Sequence, residues 1–338
     1  MNKTLLNKAL SLLENDLFET YEMGSLIAIE IHHTIYYCVV EDNSIFAYAG
    51  DHGFESWVDL LDQDDNTSDL LALEKEYMRY GYSLDFVEKS ELTPLERKQL
   101  EKDTIKDLFI IPLLKFHQEL VMPQLLTGDD QEKVDDPKCE ETPVDSYQLF
   151  STIIDVFSYL LENNIPITSS EDSILFIQQD GKNYRCDELD IPDDFNRFPS
   201  PGLLDNTIEH FEDCTPLFKR NWDLHMFIIP NANIFAKELG VHKFPIAYVI
   251  LDDKAKNVLS SGILKDFDTD YHEVLESFLT LIDEIGKPST LNVTNDRAYY
   301  LMSKLCGQLD IDVSQFSTLD DSLELETQFI DNFEKETL

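Results

Sequence analysis

The segment between residues 242 and 313 constrains the fold more than any other part of the chain. Its apolar runs follow the order strand, strand, helix, strand, at Ile246 to Leu251, Val258 to Leu264, Tyr271 to Ile285 and Leu291 to Thr294. The helix has the clearest pattern, because Val274, Phe278 and Ile282 recur every four residues and form one apolar stripe. A single stripe of this kind indicates a helix that covers one face of a sheet.

The connections within this segment predict how its strands pair. Only a few polar residues separate the first two strands, which favours an antiparallel hairpin. The helix then leads to the last strand through short connections, so a crossover that leaves this strand parallel to a neighbour is expected. Asp252 or Asp253, which end the first strand, would then lie at the same edge of the sheet as Asp296.

This layout resembles the ribonuclease-H-like core of retroviral-type integrases and transposases. Gly286, Lys287 and Pro288, which lead to Asn295 and Asp296, are similar to the segment that carries the second catalytic aspartate in those enzymes. The family has three strands before the helix, and the run from Leu224 to Ile229 would supply the missing one. The resemblance then covers residues 222 to 316 of an α/β domain with a mixed sheet and flanking helices.

The resemblance implies which acids would be catalytic. Asp252 and Asp296 match the two metal-binding aspartates, and Asp253 lies beside the first. The candidates for the third acid are Glu324, Glu326 and Glu334. Two-metal phosphoryl transfer needs such carboxylates to converge on Mg²⁺ or Mn²⁺. Acids at strand ends are also ordinary turn and cap residues, and Asn295 with Asp296 would cap the following helix. We therefore expect turn chemistry here, with a metal-dependent nuclease as the alternative.

The charge of the chain bears on the same choice. Its 67 acidic and 26 basic residues give a formal net charge of −41. A potential of that sign repels nucleic acid and anionic membranes and favours a partner protein with a basic surface. The sequence also lacks the common nucleophile-elbow, P-loop, dinucleotide and zincin motifs. These features favour a non-catalytic protein-binding module without a cofactor, built on a degenerate ribonuclease-H-like core. A third hypothesis is a DNA mimic that occupies a nucleic-acid-binding partner.

An acidic segment marks the expected domain boundary. Residues 128 to 145 include Pro137 and Pro143 and almost no apolar side chain, so they cannot bury enough surface to offset the entropy of ordering. The sequence therefore predicts an N-terminal α+β domain at residues 1 to 127 with a small antiparallel sheet, and a C-terminal α/β domain at residues 146 to 338. The whole chain resembles an uncharacterised family of acidic bacterial proteins in which an N-terminal α/β domain precedes such a core.

The cysteines and apolar runs predict a cytoplasmic protein. The five cysteines are widely spread and contain no C-x-x-C pair, which is typical of reduced thiols. The N-terminus lacks the apolar stretch of a signal peptide, and the longest apolar runs are too short to span a bilayer.

Two polar patterns resemble metal sites but predict turns and caps. His32 and His33 are adjacent, so on a strand they would point to opposite faces, and a hairpin turn is the better interpretation. The acids from Asp266 to Asp270 lack the glycine and the final glutamate of a calcium loop, which leaves helix capping.

Overall fold

The computed structural model describes residues 3–61, 69–100, 108–126, 145–167, 173–181, 183–192, 196–212, 214, 216–217, 220–229, 244–255, 257–316 and 330. It is a mixed α/β protein with two mixed sheets, which confirms the predicted fold class. The chain divides into two compact units. The first comprises Met1–Val58, Arg79–Glu119 and Pro123–Phe195, and the second comprises Asp59–Met78, Leu120–Met122 and Asn196–Leu338.

The first unit is built on an eight-stranded sheet with the order β6-β5-β4-β3-β2-β1-β7-β8. Its strands are β1 (Leu26–Ile31), β2 (Thr34–Glu41), β3 (Ser44–Ala49), β4 (Gly81–Glu88), β5 (Ile110–His117), β6 (Gln124–Leu125), β7 (Ser173–Asp180) and β8 (Asn183–Asp190). The helices of this part of the chain are α1 (Lys3–Glu14), α2 (Leu17–Thr20), α3 (Gly50–Leu61), α5 (Pro94–Gln99) and α6 (Ser146–Glu162). Strands β1 to β3 form the small antiparallel sheet that the sequence predicts, and β4 to β6 extend it as further antiparallel neighbours.

Tight turns set the register of the first sheet. His32 and His33 both have positive φ angles, 52° and 71°, and join β1 to β2, as expected for a two-residue hairpin turn. Gly181, with φ 63°, performs the same role between β7 and β8. Because side chains alternate along each strand, one face of the sheet packs against Leu12 and Phe157 and the other against Phe54.

The structure draws the boundary between the two halves later than the sequence suggests. Residues 146 to 195 were expected in the C-terminal domain, yet α6, β7 and β8 belong to the first unit. Strand β7 pairs in parallel with β1, and Ile27 lies opposite Leu175. The predicted linker lies outside the described residues except for Asp145, which caps α6 by accepting a hydrogen bond from Tyr147 N at 2.9 Å.

The second unit contains a five-stranded sheet with the order β11-β10-β9-β12-β13. The strands are β9 (Asn221–Ile228), β10 (Ile246–Asp252), β11 (Val258–Leu264), β12 (Thr290–Val293) and β13 (Asp312–Gln315). The helices are α4 (Asp69–Tyr77), α7 (Asp205–Glu212), α8 (Phe267–Asp270), α9 (His272–Ile285) and α10 (Asp296–Gln308).

Strand pairing in this sheet confirms the predicted hairpin and the predicted parallel strand. Strands β9, β10 and β11 are antiparallel neighbours, and β9 supplies the third strand before the helix. Strand β12 is parallel to β9, and β13 is parallel to β12. The central strand is therefore β9, and β10 is not paired with β12.

Helices α9 and α10 cover one face of the second sheet. The stripe of Val274, Phe278 and Ile282 is fully buried, and the ring of Phe278 meets that of Trp222 edge-on at a centroid distance of 5.6 Å. Burying each large apolar side chain contributes about 1.5–3 kcal/mol, so this face anchors the unit. The opposite face is also buried, through Phe227, Val249 and their neighbours, and Ile330 packs against it.

The sequence also carries expectations about its cysteines and about helices that could span a membrane. The four cysteines within the described residues, Cys38, Cys186, Cys214 and Cys306, are free, and Cys139 lies outside them. Among the helices that the structure describes, none combines the length and the apolar character that crossing a bilayer requires.

Candidate functional site

The carboxylate of Asp252 organises the turn between β10 and β11. Its Oδ1 accepts hydrogen bonds from Lys254 N at 3.1 Å and Ala255 N at 2.9 Å, and its Oδ2 lies 3.3 Å from Arg220 Nη1. The side chain is 5% exposed. Asp253 follows in the same turn, and its backbone N–H donates to Asn221 O at 3.1 Å. Both aspartates therefore act as turn residues at the amino end of β9.

Asp296 lies in the first turn of α10, directly after the cap. Asn295 is the cap, since its Oδ1 accepts a hydrogen bond from Ala298 N at 2.9 Å, as the sequence predicts. The amide of Asn295 also donates to Met226 O at 2.7 Å, which fixes the start of α10 beside the carboxyl half of β9. Asp296 Oδ1 accepts a hydrogen bond from Gln315 Nε2 at 2.7 Å.

The register places these acids at opposite ends of the sheet. Asp252 lies opposite Trp222 on β9, whereas Asn295 bonds Met226, four residues further along the same strand. Four residues of extended chain span about 13 Å. The expectation that Asp252, Asp253 and Asp296 converge at one edge is therefore wrong. The reason is that β9 lies between the two strands, antiparallel to β10 and parallel to β12. Glu324, Glu326 and Glu334, the candidates for the third acid, lie outside the described residues.

A polar pair that the sequence analysis did not single out lies in the centre of the sheet. Asp223 on β9 is directly opposite Asn292 on β12, and Asn292 Nδ2 donates to Asp223 Oδ1 at 2.7 Å. His225, two residues further on, shares this face, and all three side chains are buried. The alternation of Asp223 and His225 with Trp222, Leu224 and Met226 was the available signal, because a period of two separates the faces of a strand.

Two ion pairs close the carboxyl edge of the sheet, which we define by the ends of β9 and β12 and the start of α10. Glu74 Oε1 lies 2.9 Å from Arg297 Nη1, and Glu74 Oε2 accepts a hydrogen bond from Ile228 N at 3.2 Å. Asp59 pairs with Arg197, whose Nη1 donates to Met78 O at 2.9 Å. Both acids belong to the segment Asp59–Met78, which the second unit takes from the first half of the chain.

Electrostatics at this edge are set by burial. Burial raises the pKa of Glu74. The positive charge of Arg297 and the hydrogen bond from Ile228 N lower it, but the effect of burial is larger. Burial likewise raises the pKa of Asp59 against the charge of Arg197, and the nearby negative charge of Asp296 raises it further. The guanidinium of Arg297 also lies over the ring of Phe267, 5.2 Å from its centroid. The edge is thus a desolvated network of paired charges.

This arrangement limits the chemistry of the edge. In open α/β sheets, ligands bind outside the carboxyl ends of the strands where the strand order reverses. Here Glu74, Arg297 and Arg197 fill that place with the protein's own side chains. Within the described ranges, no three histidine, cysteine or acidic side chains lie close enough together to hold a metal ion.

The second unit is therefore a mixed α/β domain. It has a five-stranded sheet covered by helices, and ion pairs fill the carboxyl edge of that sheet. Residues 213–330 match DUF6930, a domain of unknown function, and this match spans the sheet. A comparison with curated proteins finds no match.

One solved structure to which the chain is similar is the CryoEM structure of simian T-cell lymphotropic virus intasome in complex with PP2A regulatory subunit B56 gamma. The identity is 18%, the similarity covers 32% of this chain and 38% of that chain, and the TM-score is 0.24. The chain therefore spans well under half of that relative.

Proposed function

We propose that this protein is a non-catalytic, cytoplasmic protein-binding module whose second unit is a degenerate ribonuclease-H-like core. The strand register supports the absence of catalysis by Asp252 and Asp296, because it separates them by the length of four strand residues. Acids held that far apart do not share a metal ion, since two-metal catalysis requires ions about 3.5–4 Å apart between common ligands.

The order of elements supports the resemblance to the ribonuclease-H-like core. Three antiparallel strands precede α9, and α9 and α10 each lead to a parallel strand. This is the layout that the sequence predicts from the resemblance, with β9 as the strand that was missing. The resemblance therefore supports the architecture, whereas the positions of the acids argue against the activity.

The closed carboxyl edge supports a binding role for other surfaces of the unit. Glu74 and Arg297 occupy the place where a substrate would approach the strand ends. Opening this edge would expose buried charges, and separating a buried pair costs about 3–5 kcal/mol. A substrate that enters here would have to supply that energy.

The charge of −41 supports a basic protein as the partner. Complementary charge accelerates association and disfavours partners of like charge, among which nucleic acids are the most strongly repelled. A basic protein surface is the partner class that this potential attracts.

Nuclease assays and partner capture test the proposal together. The purified chain and its Asp296→Ala variant are incubated with single- and double-stranded DNA and RNA in the presence of Mn²⁺ or Mg²⁺. We expect no turnover by either protein. Turnover that Asp296→Ala removes, while Asp312→Ala at an exposed position of β13 retains it, would make the protein an enzyme.

Cross-linking in extract then examines binding. We expect specific cross-links to a protein with a basic surface, weakened by added salt because the attraction is electrostatic. If the captured proteins are instead DNA-binding proteins that duplex DNA displaces, the protein is a DNA mimic.

A further inference from the structure

Strand β11 forms an edge of the second sheet. In the described part of the chain it pairs with β10 alone, so the N–H and C=O groups of its outer side have no strand beside them. Val258 at its start is 55% exposed. An open edge of this kind is a template for pairing with another extended chain, which is one of the recurring modes of peptide recognition.

A cleft of about 630 Å³ runs between this edge and α9. Small residues of β11 leave room for it, although Leu259 of the same strand also lines the cleft. Ser260 lines the cleft, and Gly262 has no side chain, so the ring of Tyr248 from β10 lies across it. Tyr248 Oη and Ser277 Oγ are 2.8 Å apart and share a hydrogen bond, which fixes the floor. Thr280 lines the helix side and is exposed.

Three glutamates of α9, Glu273, Glu276 and Glu284, line the same cleft. All three are exposed, and within the residues that the structure describes none forms an ion pair. Among the described residues that line the cleft there is no lysine or arginine, and His272 bonds Thr269 O through Nδ1 at 2.8 Å. The cleft therefore presents uncompensated negative charge beside an open strand edge.

We propose that this cleft binds an extended segment of a partner protein, rich in lysine or arginine, which adds a strand to β11 and places its basic side chains against the three glutamates. The inference rests on the proposed function and specifies the surface that performs it. The open edge and the cleft form the site, and the charge selects the occupant. Strand β11 has seven residues, which span about 23 Å, so the bound segment has about seven residues.

The dimensions of α9 agree with this occupant. Its 14 residues span about 21 Å, close to the length of β11, and the cleft is lined by α9 between His272 and Glu284 and by Leu259 and Ser260 of β11. Glu273 and Glu284 lie eleven residues apart on the helix, about 16 Å along its axis. Lysines on one face of a strand recur about every 6.6 Å, so alternating basic residues would reach the glutamates in succession.

Fluorescence anisotropy with labelled peptides tests the proposal on the full chain. The probe is a peptide of about nine residues that alternates lysine with valine, and the control probe replaces every lysine with glutamate. We expect saturable binding of the lysine peptide and none of the glutamate peptide. The triple variant Glu273→Gln/Glu276→Gln/Glu284→Gln should bind the lysine peptide about tenfold more weakly, because it removes three ion pairs with the peptide.

Two further variants separate the cleft from general charge attraction. Thr280→Trp fills the cleft without removing charge and should weaken binding at least as much. Asp180→Asn/Glu188→Gln/Asp190→Asn removes three acids of the β7–β8 hairpin that do not line the cleft, and it should change the Kd by less than about twofold because it leaves the three cleft glutamates in place. Binding should also slow amide exchange at residues 257–264 and leave β8 unaffected.

The outcomes distinguish this inference from the proposed function. If the peptide binds but all three variants bind it equally, the cleft is not the site, while a protein-binding role elsewhere still stands. If no lysine peptide binds while cross-linking captures a partner, the inference is again overturned alone. If the only occupant found is a second copy of this chain, the proposed basic segment is wrong.

Discussion

Glu74 and Arg297 form a buried ion pair inside the second unit, with 2.9 Å between Oε1 and Nη1 and side chains that are 5% and 1% exposed. The guanidinium also donates from Nη2 to Met78 Sδ at 3.0 Å. Each charge would be costly to bury alone, so the two side chains stabilise the fold only together. The pair fixes the segment Asp59–Met78 against the carboxyl edge of the sheet.

Removing one partner of this pair should be strongly destabilising. We expect Arg297→Met to lower the free energy of unfolding by about 3–5 kcal/mol, because Glu74 keeps a buried charge without its counter-ion. The double variant Glu74→Gln/Arg297→Met should recover most of the loss, since the amide still accepts from Ile228 N and no charge stays buried. Urea unfolding followed by circular dichroism measures both.

The control for this measurement is an exposed ion pair. Arg185→Met breaks the contact with Asp187 on β8, where Arg185 is 66% exposed, and should cost less than about 0.5 kcal/mol. Equal effects of the two arginine substitutions would show that the buried network does not stabilise the carboxyl edge.

The role of Asp252 as a turn residue leads to a second prediction. Asp252→Ala removes the acceptor of two backbone N–H groups and should lower the free energy of unfolding by about 1–2 kcal/mol. Asp252→Asn keeps an acceptor oxygen and should cost less than half as much. Hydrogen exchange at Lys254 and Ala255 gives a local measure. A metal ligand would behave differently, because both substitutions would then impair metal binding.

His117 in the first unit predicts a pH dependence. Burial, reinforced by the positive charges of Arg79 and Lys115, lowers the pKa of His117 to about 3, and its Nε2 lies 3.0 Å from Ser83 Oγ. An unfolded histidine has a pKa near 6.5, so below that pH the unfolded state binds a proton that the folded state does not. The contribution of neutral His117 to the free energy of unfolding is therefore fully present above about pH 6.5, and it is lost as the pH falls towards 3.

The corresponding variant isolates that contribution from the many carboxylates. As the pH is lowered from about 6 to about 4, the free energy of unfolding should decrease more steeply for the natural chain than for His117→Gln. The difference in slope should be up to ~1.4 kcal/mol per pH unit. Ring-proton NMR shifts of His117 measure the folded pKa directly. A titration midpoint near 6.5 in the folded protein would contradict the prediction.

Much of the fold could be predicted because its signals are local. The apolar stripe of α9 and the β-branched run of β10 follow from periods of 3.6 and 2, and both elements lie where the sequence places them. The cap at Asn295 and the turn at Asp180 and Gly181 also depend on neighbouring residues alone. Each of these features is decided by contacts within a few positions.

The arrangement of the acids could not be predicted because it depends on a distant strand. The sequence predicts that the acidic ends of β10 and β12 share one edge, whereas β9 lies between these strands, antiparallel to β10 and parallel to β12, so that their ends lie at opposite edges. No local pattern reports that pairing. The joining of β7 to β1 across the acidic segment is non-local for the same reason.

The buried ion pairs were missed because charged residues in a helical pattern indicate a solvated face. Glu74 lies among other charged residues in α4 and gives no sign of burial. Arg297 did carry a signal. It stands in the first turn of α10, where a positive charge opposes the helix dipole, so a carboxylate beside it is favourable.

Gly262 on β11 provides the last prediction, which concerns the floor of the cleft. A Cβ at this position would lie 2.5 Å from Cε1 of Tyr248, so Gly262→Ala must displace that ring and break its hydrogen bond to Ser277. We expect a loss of about 1–3 kcal/mol in the free energy of unfolding. Gly307→Ala in α10 is the matched control, since a Cβ there meets nothing within 4 Å, and the substitution should stabilise by up to about 1 kcal/mol. If both substitutions stabilised the protein, the ring of Tyr248 would not lie across β11, and the cleft would have no fixed floor.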